Sequence, residues 1–538
     1  MSALPDTADY VVIGAGSAGC VVANRLSADP STRVVVLEAG GRNAGLLATM
    51  PAGMATLMRA ANPSNWAFES EPVEALGGRR MFVPRGKGWG GSSSINGMLY
   101  VRGNRADYDQ WRQMGLAGWG YDDVLPLFRR MEDFGGEADA WHGKGGELPV
   151  RYGTSRDPIY RAFIAAAKAA GHPETDDFNG RDQEGVGRYQ VNIEGGSRAG
   201  ARRAFLLPAL KRPNLTAGTE LHVTRIVVED GRAVAVEYVR GKDRMPRRIA
   251  ANREIVLCAG TMQSPQLLGL SGIGHPEDLR ALGLAVVAAL PGVGRNLQDH
   301  VDIAVTYRSR LPLLWSRTKG WRAGAIGLRY LLSRSGLGAS NSLEAGGFLR
   351  TRPELDRPDV QIQFIPGAMV NHGQKGMQPF DGFSIDMIAL HPESRGTVRL
   401  RSADPFAPPE IRPNHLATPG DVATLRAAVR LARAIGEQPA LAPWRIEEEE
   451  PGADAVSDAA IDAWLVDRAA TIFHPVGTCR MGTSDDPGAV VDAALRVRGV
   501  TGLRVADASI MPTIVTGNTN AASMMIGEKA ADLMMGRA

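Results

Sequence analysis

The chain has 538 residues, of which 44% are hydrophobic and 22% are charged, and its formal net charge is +3. A length well above about 300 residues predicts more than one structural unit, because single hydrophobic cores stop growing near that size. The balance of 61 basic against 58 acidic residues argues against nucleic acid as the main partner.

The three cysteines are widely separated and lack the spacing of metal ligands. Cys20, Cys258 and Cys479 are therefore expected to be buried thiols in a reducing compartment, without a disulfide framework or a metal site. Met1–Asp9 has neither a basic segment nor an apolar run, and thus predicts no signal peptide. Because no stretch of about 18 apolar residues occurs, we expect a cytoplasmic protein without a membrane span. Peripheral membrane contact stays open.

The chain opens with a β-α-β pattern. Asp9–Ile13 predicts a buried strand, Ala18–Leu26 a helix and Arg33–Leu37 a second strand. The first turn reads Gly14-x-Gly16-x-x-Gly19, whose glycines allow backbone amides and a helix N-terminus to approach a pyrophosphate. Glu38 ends the second strand, where a carboxylate can accept hydrogen bonds from a ribose. These features predict a dinucleotide site without separating FAD from NAD.

The next part of the chain, residues 50–150, is irregular and rich in glycine. Within it, Gly86–Gly97 groups backbone amides and hydroxyls, which suits an anion or a flavin edge, with a flexible loop as the alternative. Further on, Thr224–Val228 and Ala233–Val236 predict strands. Glu254–Gly260 predicts a buried strand that ends in a tight turn, and Gly260–Gly274 a turn that leads into a short helix.

The central part of the chain predicts an antiparallel sheet. Apolar residues alternate with polar neighbours, as in strands with one covered face; the apolar positions are Val360, Ile362 and Phe364, then Phe383, Ile385 and Met387, then Val398 and Leu400. Asp421–Ile435 predicts an amphipathic helix, Glu447–Glu450 a solvated loop, and Leu503–Asp507 a last strand.

The C-terminal part supplies a candidate proton acceptor. His474 lies in the run Phe473-His474-Pro475-Val476-Gly477-Thr478, and Asn518 follows 44 residues later in Gly517-Asn518-Thr519-Asn520. A neutral imidazole accepts protons near neutral pH, and an amide can donate a hydrogen bond to a developing alkoxide. Together with a dinucleotide, this pair predicts removal of a proton and a hydride. The remaining histidines, including His300 and His391, are interpreted as structural.

These motifs resemble those of the glucose–methanol–choline (GMC) oxidoreductases, flavoproteins that oxidise alcohols, and among them the choline dehydrogenase-like primary alcohol dehydrogenases. The resemblance rests on the C-terminal segments and on Gly86–Gly97, Gly260–Gly274, Glu344–Phe348 and Asp507–Pro512. It implies an α/β fold in which an FAD-binding Rossmann-like domain is interleaved with a substrate domain built on an antiparallel sheet. The expected ranges are 1–150, 203–305 and 471–538 for the first domain, and 151–202 and 306–470 for the second.

The resemblance also implies the site residues. His474 matches the active-site histidine of the family and Asn518 its second catalytic position, with Phe473 and His474 next to the substrate. The residues implied to bind FAD are Gly14, Gly16, Ser17, Ala18, Gly19, Glu38, Ala39, Trp66, Gly90, Gly91, Ser92, Asn96, Gly97, Met98, Leu99, Val223, Ala259, Asp507, Ala508, Asn518 and Thr519. Some members bond the flavin to a histidine at the position of Ile95, so non-covalent FAD is implied here. Trp89 departs from the pattern, which usually has a small aliphatic residue there.

The expected reaction is FAD-dependent oxidation of a primary alcohol to the aldehyde, with His474 as proton acceptor. Choline-like, aliphatic and aryl alcohols stay open; for choline, Trp66, Trp315 and Glu344 are the candidates to surround a quaternary ammonium. The electron acceptor is also open among oxygen, a quinone and a carrier protein, and with it the choice between oxidase and dehydrogenase. Alternatives of other classes are a lyase or photodecarboxylase of the same fold, a non-catalytic dinucleotide-binding module and an NAD-dependent dehydrogenase.

Overall fold

The computed structural model describes residues 4–241, 243–368 and 380–537. Met1–Ala3, which belong to the segment inspected for a signal peptide, lie outside these ranges. The helices in chain order are α1 (Ser17–Leu26), α2 (Leu46–Thr49), α3 (Met54–Leu57), α4 (Arg105–Gln113), α5 (Tyr121–Met131), α6 (Pro158–Ala169), α7 (Leu207–Ala209), α8 (Gly260–Leu270), α9 (Pro276–Ala281), α10 (Leu314–Thr318), α11 (Trp321–Ser333), α12 (Pro419–Gly436), α13 (Asp458–Arg468) and α14 (Asn520–Met534).

The strands in chain order are β1 (Thr7–Ile13), β2 (Val34–Leu37), β3 (Phe68–Glu69), β4 (Phe82–Val83), β5 (Glu132–Phe134), β6 (Leu148–Tyr152), β7 (Gly185–Arg188), β8 (Gln190–Val191), β9 (Ile193–Glu194), β10 (Ser197–Arg198), β11 (Leu215–Gly218), β12 (Leu221–Glu229), β13 (Arg232–Arg240), β14 (Asp243–Leu257), β15 (Ile273–Gly274), β16 (Ala288–Ala289), β17 (Val301–Ser309), β18 (Ala345–Leu349), β19 (Val360–Ile365), β20 (Gly382–Ala389), β21 (Thr397–Arg399), β22 (Glu410–Arg412), β23 (Arg445–Glu450), β24 (Ala470–Thr471) and β25 (Leu503–Val505).

The first large sheet has seven strands in the order β11-β2-β1-β14-β13-β12, with β25 paired to β14. Strands β11, β2, β1 and β14 run parallel, and β25 extends the parallel pairing along the C-terminal half of β14. The N-terminal half of β14 pairs instead with the antiparallel hairpin β12–β13. The predicted β-α-β unit, the strands of this sheet and the last strand are confirmed. The apolar runs of β1, β2 and the C-terminal end of β14 are buried on both faces, because helices cover a parallel sheet on both sides.

The C-terminal segment completes the N-terminal β-α-β unit. Helix α14 packs against α1, and Ser17 Oγ on α1 donates a hydrogen bond of 2.7 Å to Asn520 Oδ1 on α14. Arg25 of α1 forms an ion pair of 2.6 Å with the buried Glu528 of α14. The two ends of the chain therefore fold as one unit.

The second large sheet is antiparallel, in the order β23-β17-β20-β19-β18-β7 with β24 paired to β17. One of its faces carries the predicted apolar positions of β19 and β20, such as Ile362 and Ile385, which pack with Leu425 and Val429 of α12. Helix α12 is the predicted amphipathic helix. The fold is thus the α/β arrangement that the sequence predicts, a Rossmann-like unit joined to a unit built on an antiparallel sheet. The division of the chain between the two units stays a prediction.

The prediction that only one face of β19 and β20 is covered is wrong. Their polar positions Gln361, Gln363, Ser384 and Asp386 are buried as well. Other parts of the fold cover this second face, where Gln363 and Asp386 border a cavity and Gln361 bonds Asn518. The third predicted segment is separate from this sheet, since β21 pairs with β22 in a two-stranded sheet of its own.

The prediction of a solvated loop at Glu447–Glu450 is also wrong. These residues belong to β23, which pairs with β17. Charged partners from other elements neutralise the acidic run: Arg433 binds Glu448, Arg308 binds Glu449, and Arg468 binds Glu450. A local reading of the sequence misses these arginines because they are distant along the chain or on other elements.

The three cysteines are buried and free, as predicted. Of the helices in the described ranges, none combines the length and the apolar character needed to cross a bilayer.

Candidate active site

A cavity of about 1170 Å³ is lined by residues of both units. The sequence-predicted residues that line it are Gly14, Gly16, Ser17, Ala18, Glu38, Ala39, Trp66, Gly91, Ser92, Asn96, Gly97, Met98, Leu99, Val223, Ala259, Phe473, His474, Asp507, Ala508, Asn518 and Thr519. Gly19 and Gly90 are not among the lining residues. The structure thus brings nearly all the predicted site residues together around one space.

Two glycine turns form one end of the cavity. Gly14 has a φ of +96°, and a Cβ there would lie 2.5 Å from the carbonyl oxygen of Cys258. Gly91, with a φ of +50°, lies so close to the first turn that a Cβ would be 2.7 Å from the Cα of Gly16. The walls here consist of backbone at the N-terminus of α1, which suits a pyrophosphate.

Glu38 holds these turns in place. Its carboxylate accepts hydrogen bonds from the backbone amides of Ala15 (2.9 Å), Gly40 (2.8 Å) and Gly88 (2.9 Å). One side chain therefore ties the turn after β1, its own loop and the Gly86–Gly97 segment together, and it still borders the cavity.

Three residues of the glycine-rich segments lie behind the cavity wall: Gly19, Gly90 and Trp89. A Cβ at Gly19 would lie 2.0 Å from the oxygen of Gly14, and the amide of Gly90 donates a 2.7 Å hydrogen bond to Ala15. Trp89 is buried in the core of the first unit, with the guanidinium of Arg42 at 5.5 Å from its ring. Trp89 is therefore part of the core and is not among the residues that line the cavity.

The loop that carries His474 is held from both sides. Asp299 accepts hydrogen bonds from the amide of His474 (2.7 Å) and from the hydroxyl of Thr471. Arg85 donates to the carbonyl of Phe473. Phe473 has a φ of +69°, a left-handed conformation that costs about 1–2 kcal/mol in a residue with a side chain. These contacts stabilise a strained backbone that directs His474 into the cavity.

The hydrogen bonds of His474 fix its tautomer. His300 Nε2 lies 3.1 Å from the carbonyl of Leu390, which can only accept, so this nitrogen carries the proton. In neutral His300 the other nitrogen, Nδ1, is then an acceptor, and it lies 3.0 Å from His474 Nδ1. His474 must therefore donate from Nδ1. Its Nε2 is left with a lone pair that faces the cavity residue Asn518.

The orientation of Asn518 follows from its own partners. Its Oδ1 accepts a 3.0 Å hydrogen bond from Gln361 Nε2, so Nδ2 is the group 3.0 Å from His474 Nε2. Gln361 also donates to the hydroxyl of Tyr189 (3.1 Å), which in turn donates to the carbonyl of Ile362 (2.6 Å). The amide thus presents its donor hydrogens to the lone pair of the imidazole and to the space beside it.

Burial sets the charges of this cluster. Burial, followed by the positive charge of Arg85, lowers the pKa of His474 to about 3. Burial, reinforced by His474, also holds the pKa of His300 well below its ordinary value, and burial raises the pKa of Asp299 to about 6. Both imidazoles are therefore neutral at neutral pH, as the tautomer assignment requires.

The part of the cavity away from the glycine turns is largely aliphatic. Leu343, Ile365 and Ile472 line it together with Met54 and Leu314, and Gln363 and Asp386 add polar groups from the second sheet. This part can take a small organic substrate next to His474 and Asn518.

The candidates for a quaternary-ammonium cage do not come together. Trp66 lines the cavity but lies under the ammonium of Lys87, 4.3 Å from the ring centroid. Trp315 is not among the described lining residues, and Glu344 forms an ion pair of 2.7 Å with Arg188.

Sequence reasoning missed four residues of this site. These residues hold His474, Asn518 and the loop before them in place, but no motif in the sequence marks them: His300, Asp299, Arg85 and Gln361. A signal was present for two of them, since Asp299 and His300 form an unusually polar start to the apolar strand β17. Gln361 sits at a polar position of an alternating strand, which favoured a solvent-facing interpretation.

The GMC oxidoreductase family models match residues 8–302 and 392–527 of the chain. The chain belongs to the GMC oxidoreductase family. This GMC oxidoreductase is 43% identical to the mitochondrial choline dehydrogenase of Mus musculus, over 99% of this chain and 90% of that protein. It is 46% identical to an oxygen-dependent choline dehydrogenase of Rhizobium etli, over 98% of this chain and 96% of that protein.

Solved structures agree with this assignment. The GMC oxidoreductase superposes on pyridoxine 4-oxidase from Mesorbium loti with a TM-score of 0.88 at 33% identity, covering 97% of this chain and 98% of the other. Formate oxidase from Aspergillus oryzae RIB40 gives a TM-score of 0.90 at 27% identity, with 99% of each chain covered.

The enzyme is thus an FAD-dependent alcohol oxidoreductase, as the sequence predicts. The glycine-walled end of the cavity fits the pyrophosphate of FAD, because side chains on those glycines would fill it. Ile95 lines the cavity at the position where some relatives attach the flavin. Its side chain has no nucleophilic atom, so FAD is held non-covalently.

Proposed function

We propose that this enzyme oxidises a primary alcohol to the aldehyde, with His474 Nε2 as the acceptor of the hydroxyl proton. The single observation that supports this role is the chain of hydrogen bonds from Leu390 through His300, which leaves a lone pair on Nε2. FAD supplies the acceptor for the hydride from the carbinol carbon. The enzyme's own groups bind the hydroxyl, take its proton and exclude water.

Asn518 complements the imidazole in this proposal. The alcohol oxygen takes a place within reach of both His474 Nε2 and Asn518 Nδ2, which lie 3.0 Å apart. As the proton moves to the imidazole, the amide donates a hydrogen bond to the oxygen, on which negative charge develops. An amide does this without changing its own protonation state, so one proton acceptor is enough.

The cavity favours a primary alcohol with an uncharged aliphatic chain. Its substrate end is walled by Leu343, Ile365 and Ile472, and burial of apolar groups contributes about 25 cal/mol per Å². The residues that the sequence offered to surround a quaternary ammonium do not form a cage there, since Trp66 is covered by Lys87 and Glu344 is paired with Arg188.

Choline is the second candidate, and two observations favour it. Asp386 places a carboxylate on the cavity-facing side of β20, and the relatives from Mus musculus and Rhizobium etli are choline dehydrogenases. A carboxylate can balance a quaternary ammonium electrostatically.

Anaerobic mixing of the holoenzyme with alcohols tests the proposal. We expect hexanol to bleach the flavin absorbance in wild type, and faster at equal concentration than choline or benzyl alcohol. The His474→Gln variant should retain FAD and bleach at least about a hundredfold more slowly, since general-base catalysis contributes about 10²–10⁴ in rate. Bleaching fastest with choline would establish the second candidate, and unchanged bleaching in His474→Gln would exclude His474 as the base.

The same experiment addresses other reactions of the fold. A lyase or a photodecarboxylase would leave the flavin oxidised with every alcohol in the dark. Reoxidation of the alcohol-reduced enzyme by oxygen, compared with a soluble quinone in a stopped-flow instrument, then decides between oxidase and dehydrogenase.

A further inference from the structure

Helix α11 presents its apolar face to solvent. Trp321, Ala325, Leu328 and Leu332 follow the i, i+4, i+7, i+11 spacing of one helix face. Of their side chains, Trp321 is 79% exposed, Leu328 58% and Leu332 80%, whereas Tyr330 on the opposite side is buried. A surface helix of a globular protein normally turns this face inward. Here it points away from the protein.

The segment that carries this face is basic. The segment between Asp302 and Glu344 contains no acidic residue but seven arginines and lysines. Four of these basic residues lie in α11 or beside its ends: Lys319, Arg322, Arg329 and Arg334. None of these four forms an ion pair with a carboxylate in the described parts of the chain. Arg322 and Arg329 instead donate to Ser316 and Ser335, next to the helix.

An apolar stripe flanked by basic side chains matches an anionic lipid surface. Acyl chains accommodate Trp and Leu, and lipid phosphates attract the flanking Lys and Arg. A second copy of this chain fits poorly, because a symmetric contact through α11 would bring the two basic patches together. We propose that α11 lies in the plane of a membrane interface and attaches the enzyme to anionic bilayers.

The neighbouring elements extend this surface toward the active site. Leu46 and Leu47 of α2 are each 41% exposed. Helix α2 lies near α11, because Met50, just after α2, and Tyr330 of α11 both contact Gly338. Helix α10 packs against α11, and its residues Leu314 and Thr318 line the cavity. The docked enzyme therefore holds the part of the cavity wall formed by α10 close to the lipid surface.

Vesicle flotation with the FAD-loaded, full-length enzyme and no alcohol tests this proposal. Wild type should float with phosphatidylcholine vesicles that contain phosphatidylglycerol, and bind pure phosphatidylcholine vesicles much more weakly. Leu328→Ser/Leu332→Ser should weaken binding at least about tenfold, because two leucines leave the acyl region. Arg322→Gln/Arg329→Gln should weaken binding on the order of tenfold on anionic vesicles alone.

The matched control is Met245→Ser, which removes an equally exposed apolar side chain (69%) from the hairpin side of the first sheet; it should float like wild type. All variants should keep their flavin absorbance and alcohol-dependent bleaching, so a folding defect is visible separately. Wild type that stays unbound, or binding that neither helix variant weakens, overturns the proposal. So does sedimentation showing that the leucine pair holds a dimer together without lipid. Because no alcohol is present, failure here leaves the proposed alcohol oxidation untouched.

Discussion

Replacing His300 tests whether the orientation of the base depends on a residue that does not touch the cavity. His300→Leu keeps a similar volume but removes both the acceptor for His474 Nδ1–H and the donor to Leu390. His474 Nδ1–H is then left without an acceptor, so the tautomer with its proton on Nδ1 loses its preference over the tautomer with its proton on Nε2. In the second tautomer no lone pair faces the alcohol.

The size of the effect follows from the hydrogen bond that holds the tautomer. A buried donor left without its partner costs about 1–3 kcal/mol, and each 1.36 kcal/mol corresponds to about tenfold in rate. We therefore expect kcat of His300→Leu to fall about 5- to 150-fold. KM should change by less than about twofold, since His300 is not among the cavity-lining residues.

We would measure kcat and KM of each variant by steady-state kinetics with the best alcohol, and check its flavin content by absorbance. His300→Asn is the matched control, because its Oδ1 can accept from His474 Nδ1–H in place of the ring nitrogen; it should recover most of kcat. Equal losses in the leucine and asparagine variants, or wild-type kcat in His300→Leu, would refute the tautomer assignment.

Three further predictions concern the same site. Asn518→Ala should lower kcat by about 10²–10³, the usual effect of removing one donor to a developing oxyanion, and Gln361→Leu should lower it less because Gln361 acts through Asn518. Gly91→Ala should abolish flavin absorbance in the purified protein, since its Cβ would lie 2.7 Å from backbone, whereas Gly41→Ala meets nothing within 4 Å and should stay yellow. Burial lowers the pKa of His474 from 6.5 to about 3. The unfolded chain therefore binds a proton more readily than the folded protein between about pH 6.5 and pH 3. The free energy of unfolding falls across this range as the pH is lowered, by at most about 1.4 kcal/mol per pH unit. Thermal unfolding midpoints should therefore drop more steeply below about pH 6 in wild type than in His474→Gln, and parallel curves would contradict this pKa.

The dinucleotide end of the site could be predicted from sequence because its geometry is local. Gly14 and Gly16 lie in one turn, between a strand and a helix whose periodicities are readable, and Glu38 ends the next strand. The structure adds only that Glu38 also ties three backbone amides together.

The second unit was less predictable because its surroundings are not local. Alternation in β19 identifies a strand, yet it does not tell whether Gln361 and Gln363 face water or a cavity; the packing of the other unit decides this. Likewise, four consecutive glutamates predict a solvated loop, because the sequence does not show which arginines of other elements bind them. His300 was interpreted as structural for the same reason, since its partner lies 174 residues further along the chain.

The contact between α1 and α14 joins two segments that are far apart in the order of synthesis. A nascent chain exposes its β-α-β turn early, but Ser17 of α1 meets its partner Asn520 only 503 residues later. The strand β25 and Asn518 also follow the whole of the second sheet along the chain. The first unit therefore stays incomplete until the second has been synthesised, and we expect flavin to bind only after that point.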